Sequence, residues 1–163
     1  MNDYQEVLKD FLIKKISFLD FKEKFLSNLT CENDLYLFLN NFDFSKYDED
    51  MVMLIYIYLF IICSYDISKC LDNDFTSFIK NVVSLYHNDI LSNLEIINCK
   101  PTYEIYKKNS VMIIINTSST DVLIPLPNGI KDSTRFCINC GDEIFFEKEI
   151  SLYPFGFYLI DLN

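Results

Sequence analysis

Two cysteines in the second half of the chain have the spacing of a metal or redox site. Cys137 and Cys140 are separated by two residues, so two thiolates could reach one metal ion or each other. A tetrahedral zinc site needs two further ligands, but the sequence has one histidine, His87, and no second cysteine pair of this spacing. The pair lies between two β-forming runs and does not open a helix, so we interpret it as a hairpin turn with two incidental cysteines.

Other residues that commonly catalyse reactions occur in no recognisable arrangement. His87 is the single histidine and limits any triad to one candidate base. Its predicted place at the C-terminal end of a helix is typical of a surface or capping residue. Three glycines leave no glycine-rich phosphate loop. The sequence therefore predicts no cofactor, and Cys137 and Cys140 stay as weak candidates for a metal.

Length and charge narrow the class of protein. The chain has 163 residues, 50% of them hydrophobic, which predicts one folded domain and excludes intrinsic disorder. A complete (β/α)8 barrel needs about 250 residues and does not fit. The 24 acidic residues outnumber the 14 basic ones, giving a net charge of −10. This charge disfavours binding to nucleic acid or to an anionic membrane surface.

The apolar segments indicate a cytoplasmic protein. The longest apolar run, Met51–Cys63, has 13 residues, whereas a membrane-spanning helix takes about 20. The first six residues contain no basic region followed by an apolar stretch, so no signal peptide is recognised. We therefore expect six reduced thiols and no membrane association.

The apolar spacing is helical in the first part of the chain. Residues 3–15 read as an amphipathic helix, and Ser17 is a predicted N-cap for a second one. Met51–Cys63 and residues 74–87 predict two more helices. The short apolar run at residues 35–39 fits a buried strand or a turn of helix equally well.

The pattern becomes β-like near residue 95. Short β-branched and aromatic runs alternate with turn-forming stretches, which predicts an antiparallel sheet or small sandwich. The runs lie at residues 95–97, 103–106, 111–115, 122–124, 135–138, 144–146, 150–152 and 157–162. The fold class is therefore α+β, with a helical part in residues 1–93 and a β domain in residues 94–163.

The order of these segments resembles the α-amylase superfamily of glycoside hydrolases, especially its neopullulanase and cyclomaltodextrinase branch. Residues 11–21 and 38–46 are similar to the family's late barrel, in which a helix pair leads into a strand. Residues 103–116 are similar to the entry of its C-terminal β domain. The closing strand of that domain resembles residues 150–160, with a proline, an aromatic residue and a glycine before an apolar run.

The resemblance implies a set of site residues with clear departures. Asp43 matches the family's transition-state-stabilising aspartate, but Phe42 stands in the histidine position and Lys46 in the arginine position. The family's nucleophile and general acid lie on earlier strands that have no counterpart in this sequence. Retaining hydrolysis needs two carboxyl groups about 5–5.5 Å apart, so we expect no independent catalysis.

A partial barrel leaves apolar surface that must be covered. We expect a helical layer, the remnant of the late barrel, to repack on the β domain, or a second copy or another polypeptide to cover it. The leading hypothesis is a truncated, catalytically incompetent relative with a structural or accessory role. Any contact with an α-glucan would involve Asp43 with Phe42, Phe44, Lys46 or Tyr47.

A second hypothesis uses the charge alone. A small acidic protein with a helical first half could be an inhibitor or immunity-type factor that binds a basic protein partner. Charge complementarity would then supply the specificity.

Overall fold

The chain folds as helices followed by a curled antiparallel sheet, in a computed structural model that describes residues 3–126, 135–140 and 149–162. The helices are α1 Asp3–Leu12, α2 Phe18–Asn28, α3 Glu32–Asn41, α4 Glu49–Ile57, α5 Asp74–Leu85 and α6 His87–Ile90. The strands are β1 Leu94–Cys99, β2 Tyr103–Lys108, β3 Val111–Asn116, β4 Val122–Pro125, β5 Arg135–Cys140 and β6 Glu149–Asp161. This order confirms the predicted α+β class.

The first two helices meet at a tight turn. α1 ends at Leu12, earlier than predicted, because Lys14 takes a left-handed backbone conformation with φ 61°. The Lys15 N–H donates to the Asp10 carbonyl and the Lys14 N–H to the Phe11 carbonyl, which closes the helix as a Schellman motif. Ser17 is the N-cap of α2 as predicted, and its hydroxyl oxygen accepts from the Asp20 N–H.

The ambiguous run at residues 35–39 belongs to helix α3. Leu35, Tyr36 and Leu39 are buried, at a spacing that places them on one side of a helix. Glu32 and Asp34 lie in the first turn, where negative charge complements the helix dipole. The strand interpretation of this segment is therefore wrong.

The most apolar helix crosses the centre of the molecule. Asp48 caps α4 by accepting from the Asp50 and Met51 N–H groups, at 2.9 and 3.3 Å. The helix continues as a π-helical turn over Tyr58–Ile62, all of it buried. A helix that is apolar all round packs inside a protein. Within the described ranges, no helix is long and apolar enough to cross a membrane.

Strand β6 organises the sheet. The strand order is β1-β2-β3-β6-β4, with β5 also paired to β6. β3 and β5 both pair with the second half of β6, so they lie on its opposite edges, while β4 pairs with the first half. The predicted strands at 150–152 and 157–162 are thus one strand, which carries a residue of positive φ (58°) at Phe155. The predicted run at 144–146 lies outside the described residues.

The sheet has an apolar core on each face. Val111, Ile113 and Ile115 of β3 pack in one cluster with the helices, which we call the helix-side core. Met112 and Ile114 alternate with them and belong to a second cluster on the other face. The helices and the sheet therefore share one continuous core.

The helix-side face of β2 carries buried charge. Lys108 is 1% exposed, and its Nζ donates to the Ile61 carbonyl at 2.7 Å, the Ile90 carbonyl at 2.8 Å and the Ser64 Oγ at 2.5 Å. All three ammonium hydrogens therefore have acceptors. Ile61 lies in the π-helical turn and Ile90 ends α6, where a cation is favourable. Burial lowers the pKa of Lys108 to about 8.

Glu104 lies two side chains away on the same face. Its Oε2 accepts from Lys22 Nζ of α2 and from the Tyr106 hydroxyl, the latter at 2.7 Å. Its Oε1 is buried and has no hydrogen-bond partner among the described residues. Burial and the Glu104 carboxylate raise the pKa of Tyr106. The hydrogen bonds of two buried charged side chains, Glu104 and Lys108, therefore join β2 to helical segments that come earlier in the chain.

Lys108→Met should lower the free energy of unfolding by about 2 kcal/mol, because the substitution removes the ammonium donor of the buried Ile61 carbonyl and the hydrogen bonds of Lys108 to Ser64 and Ile90, although the Ile90 carbonyl keeps the Ser64 hydroxyl as a donor. Urea denaturation measures the change, and Lys107→Met on the opposite side of β2 is the matched control, with an expected change below about 0.5 kcal/mol. Equal effects of the two variants would contradict the role of Lys108.

The same pair of variants gives a pH dependence. Below pH 8 Lys108 is protonated in both the folded and the unfolded chain. Between about pH 8 and 10.5 the unfolded chain binds a proton that the folded chain has released, so stability rises with pH. The stability advantage of the wild type over Lys108→Met should therefore widen from pH 8 to 10. An advantage that narrows over this range would contradict the lowered pKa.

Candidate functional site

Asp43 lies in the turn that connects α3 to α4. It is the N-cap of a short 3-10 helix, Phe44–Lys46, and its Oδ1 accepts from the Ser45 N–H at 3.0 Å and the Ser45 Oγ at 2.6 Å. These hydrogen bonds to Ser45 lower the pKa of the Asp43 carboxyl. The carboxylate is thus exposed, ionised at neutral pH and committed to its own turn.

The same turn occurs a second time. Asp66 caps the 3-10 helix Ile67–Lys69 and accepts from the Ser68 N–H at 3.0 Å and the Ser68 Oγ at 2.6 Å. Both turns have the sequence Asp-x-Ser-Lys, so the repeat was visible in the sequence and sequence reasoning missed it. A geometry found twice indicates that Asp43 has a structural role in its turn, whatever else it does.

The predicted aromatic residues around Asp43 divide into buried and half-buried rings. Phe44 is buried, and its ring centroid lies 4.7 Å from that of Phe42 and 5.8 Å from that of Tyr56. Phe42 and Tyr47 are half-buried and stack at 5.7 Å. Lys46 is exposed. Phe44 therefore belongs to the core, while Phe42 and Tyr47 keep part of their surface exposed to solvent.

A pocket with a volume of about 330 Å³ opens beside this turn. It lies between the end of α3 and the starts of α4 and α5, and its lining includes aromatic rings, carboxylates and amides. Its lining residues are Leu39, Asn40, Phe42, Phe44, Ser45, Glu49, Leu71, Asn73, Asp74 and Phe75. Pockets of this size and mixed lining suit small polar ligands with an apolar face.

The polar groups of this pocket have structural partners as well. The Asn40 amide spans the pocket edge, donating to the Lys69 carbonyl and accepting from the Leu71 N–H. Asn73 forms a capping box at the start of α5. Glu49 and Asp74 are exposed and lie in the first turns of α4 and α5.

These carboxylates do not have the surroundings of a hydrolytic pair. The general acid of a glycoside hydrolase is commonly held in an apolar environment. Glu49 and Asp74 are solvent-exposed. The arrangement supports hydrogen bonding to a ligand better than proton transfer.

The cysteine pair lies in a strand and not in the predicted hairpin turn. Cys137 and Cys140 belong to β5, opposite Tyr158 and Leu152 of β6, because the whole segment pairs with that long strand. All six cysteines lie in the described ranges and form no disulfide. In those ranges no three histidine, cysteine or acidic side chains come together as metal ligands. His87 is exposed and begins α6, rather than ending a helix as predicted.

Sequence reasoning also missed the buried Glu104 and Lys108. The signal was present: charges four residues apart flank Tyr106 within a β-forming run, so all three share one face of the strand. Lys22, which binds Glu104, lies 82 residues away in the sequence, and Ile61, which binds Lys108, lies 47 residues away.

Asp43→Ala should lower the Tm by about 2–4 °C, the usual effect of losing a cap in a chain of this size. Asp66→Ala should have a similar effect because the two turns are alike, while Asp43→Asn should retain most of the stability. Since the pKa of Asp43 lies below 3.8 in the folded chain, its contribution is present above that pH and is lost as the pH falls through the folded-state pKa. Calorimetry from pH 7 to 3 checks this; an unchanged Tm for Asp43→Ala would contradict the capping role.

Comparison with known proteins gives structural likeness without sequence matches. No family model matches the chain, and no curated protein matches it. The chain resembles an α-amylase from Anoxybacillus with a TM-score of 0.50 and 11% identity, over 98% of this chain and 46% of that one.

Weaker likenesses are to the trehalulose synthase MutB from Pseudomonas mesoacidophila, with a TM-score of 0.43 and 14% identity over 53% of this chain and 17% of that one. An enzyme of family GH13_31 has a TM-score of 0.40 and 14% identity over 55% and 17%. The chain thus spans less than half the length of these enzymes. These solved structures include an α-amylase and an enzyme of family GH13_31, and the likeness concerns the fold.

Proposed function

We propose that the chain is a non-hydrolytic relative of α-amylase-family enzymes, with a structural or accessory role and a weak contact to α-glucans. The observation that carries the proposal is the likeness to the Anoxybacillus α-amylase across 98% of the chain. The resemblance of the sequence to the α-amylase superfamily supports the same relationship.

The remnant of a barrel is proposed for the helical part. Residues 38–46 resemble the late barrel, in which a helix pair leads into a strand. Here they form the end of α3 and the Asp-x-Ser-Lys turn at Asp43, and the helices pack on the β domain through the helix-side core. Repacking of this kind supplies the cover that missing strands would have given.

The absence of hydrolysis is proposed from the state of the carboxylates. Asp43 is held by Ser45 in its turn, and the Glu49 and Asp74 side chains are exposed. Neither arrangement supplies both a nucleophile and a general acid across one glycosidic bond.

A weak sugar contact is supported by the pocket beside Asp43. The half-buried ring of Phe42 and the ring of Phe75 offer apolar faces for the C–H side of a glucose ring. The carboxylate of Glu49 can accept hydrogen bonds from sugar hydroxyls. An open pocket with exposed polar groups favours weak binding, since the ligand stays largely solvated.

Maltotriose should bind this pocket with a Kd in the millimolar range and without release of reducing ends. Chemical-shift titration by NMR should move the signals of the pocket residues in a saturable way. Glu49→Gln should weaken binding about fivefold to tenfold, by losing a charged acceptor. Glu23→Gln, an exposed glutamate of α2 outside the pocket, is the matched control and should change nothing.

Two outcomes would overturn this proposal. Hydrolysis of maltotriose that is abolished by Asp43→Ala would show an active enzyme. Absence of saturable shifts at the pocket residues would remove the sugar contact.

If the chain has an accessory role, a partner polypeptide could bind the apolar surface of β1. Leu94, Ile96 and Ile97 are exposed on this edge strand, and Ile96 is 64% exposed. Leu91 precedes them and is also exposed. An edge strand with exposed apolar side chains is a site for another polypeptide or a second copy.

Ile96→Lys should therefore reduce association through this edge, because a charge at the contact must be desolvated. Sedimentation velocity over a range of concentrations would compare the wild type with Ile96→Lys. Leu123→Lys, at an exposed apolar position of β4, is the control variant. Association that survives Ile96→Lys, or a wild type that stays monomeric throughout, would contradict a contact between copies at β1.

A further inference from the structure

A second pocket, with a volume of about 350 Å³, lies on another part of the molecule. It is formed between the α1–α2 turn and the loop that follows β3, and the start of α4 reaches its base. Its lining residues are Phe11, Lys14, Lys15, Ile16, Ser17, Phe18, Met51, Pro101, Thr117, Ser118, Ser119 and Phe155. It shares no lining residue with the pocket beside Asp43.

The floor of this pocket is apolar and fixed. Phe11, Phe18, Met51 and Phe155 are all buried. The ring centroid of Phe11 lies 5.7 Å from that of Phe18 and 6.2 Å from that of Phe155, both edge to face. Aromatic rings held in this way fix the base of the pocket, and the apolar surface open to a ligand comes from Ile16, which is half-buried, and Pro101, which is exposed.

The rim is basic, in a protein of net charge −10. Lys14 and Lys15 are exposed and adjacent, and no acidic residue is among the described residues that line the pocket. Lys15 pairs with Asp10, whose Oδ1 lies 4.0 Å from Lys15 Nζ on the surface. An exposed pair at this distance contributes little, so both ammonium groups can turn to a ligand.

Hydroxyl groups complete the rim. Ser17 accepts from the Asp20 N–H, which leaves its own O–H able to donate. Ser119 lies on the opposite side, in the loop after β3, where the Thr117 hydroxyl donates to the Pro101 carbonyl at 3.3 Å. Ammonium and hydroxyl donors together are suited to a carboxylate or a phosphate.

The lining of this pocket includes two residues with a left-handed backbone. Among the described residues, four non-glycine residues have positive φ, and Lys14 and Phe155 are two of them, at 61° and 58°. The C′ position of a Schellman motif, which Lys14 occupies, is ordinarily glycine. A lysine there costs stability, and strained residues of this kind cluster at functional sites.

We propose that this pocket binds a small organic anion with a flat apolar body and a carboxylate or phosphate end. The body lies against Ile16 and Pro101 above the buried aromatic base, and the charged end meets Lys14, Lys15 and the Ser17 hydroxyl. The site is independent of the proposed α-glucan contact.

Phenyl phosphate and benzoate are the probes for an NMR titration of the full chain. Each should give saturable shifts at Phe11, Ser17 and residues 117–119, and the tighter of the two names the anion class. Benzyl alcohol, with the ring but no charge, and inorganic phosphate, with the charge but no ring, should each bind at least about tenfold more weakly. Equal binding of benzyl alcohol, or shifts spread outside these residues, would overturn the proposal.

Matched lysine variants test the role of the rim. Lys14→Gln should weaken binding of the better probe about tenfold, whereas Lys24→Gln, an exposed lysine of α2 outside the lining, should leave it unchanged. Lys14→Gly should weaken binding equally and at the same time raise the Tm, because glycine relieves the positive φ. Such a result separates the loss of charge from any damage to the fold. Equal affinity of Lys14→Gln and Lys24→Gln would overturn the proposal.

Discussion

The ammonium group of Lys108 is the interaction on which the arrangement of helices and sheet depends. It occupies the helix-side face of β2 and donates to groups at the end of the π-helical turn, in the loop after it and at the end of α6. Burying a charge is costly unless its hydrogen bonds are complete, so these three segments must meet at one point. Lys22 and Glu104 add a second such point at α2. Apolar packing alone would permit many placements of the sheet, and the buried charges restrict them.

Much of the fold followed from local sequence signals, and the errors occurred where tertiary contacts decide. The Ser17 cap and the buried side of α2 are local features and were predicted. The secondary structure of residues 35–39 could not be predicted, because five consecutive apolar residues fit a strand or a helix. Their burial depends on segments that are distant in the sequence. The apolar runs at 150–152 and 157–162 predict two separate strands, because Tyr153–Gly156 interrupts the β-forming pattern with a proline and a glycine. Pairing with three other strands keeps them in one strand.

The candidate sites were predictable to a smaller degree. The sequence identified Asp43 and its aromatic neighbours, but it could not show that Ser45 holds the carboxylate or that Phe44 is buried. Glu49 and Asp74 entered the same pocket because two helices begin there, which needs the packing of α4 and α5. The pocket at Lys14 joins residues about one hundred positions apart in the chain, and no short motif marks it. In both cases the sequence shows the residue types, but it does not show that these residues lie close together in the fold.

The placement of β6 has a consequence for the way the protein is made. This strand is hydrogen-bonded to β3, β4 and β5, yet it follows all of them in the chain. On the ribosome, the helices and the β1–β3 meander would emerge first, with the apolar edge of β3 lacking its neighbour. The sheet can close only after residues 149–161 leave the exit tunnel, and contacts of such long sequence separation form slowly. A nascent chain stalled before this strand would thus be exposed to aggregation and to chaperones during that interval.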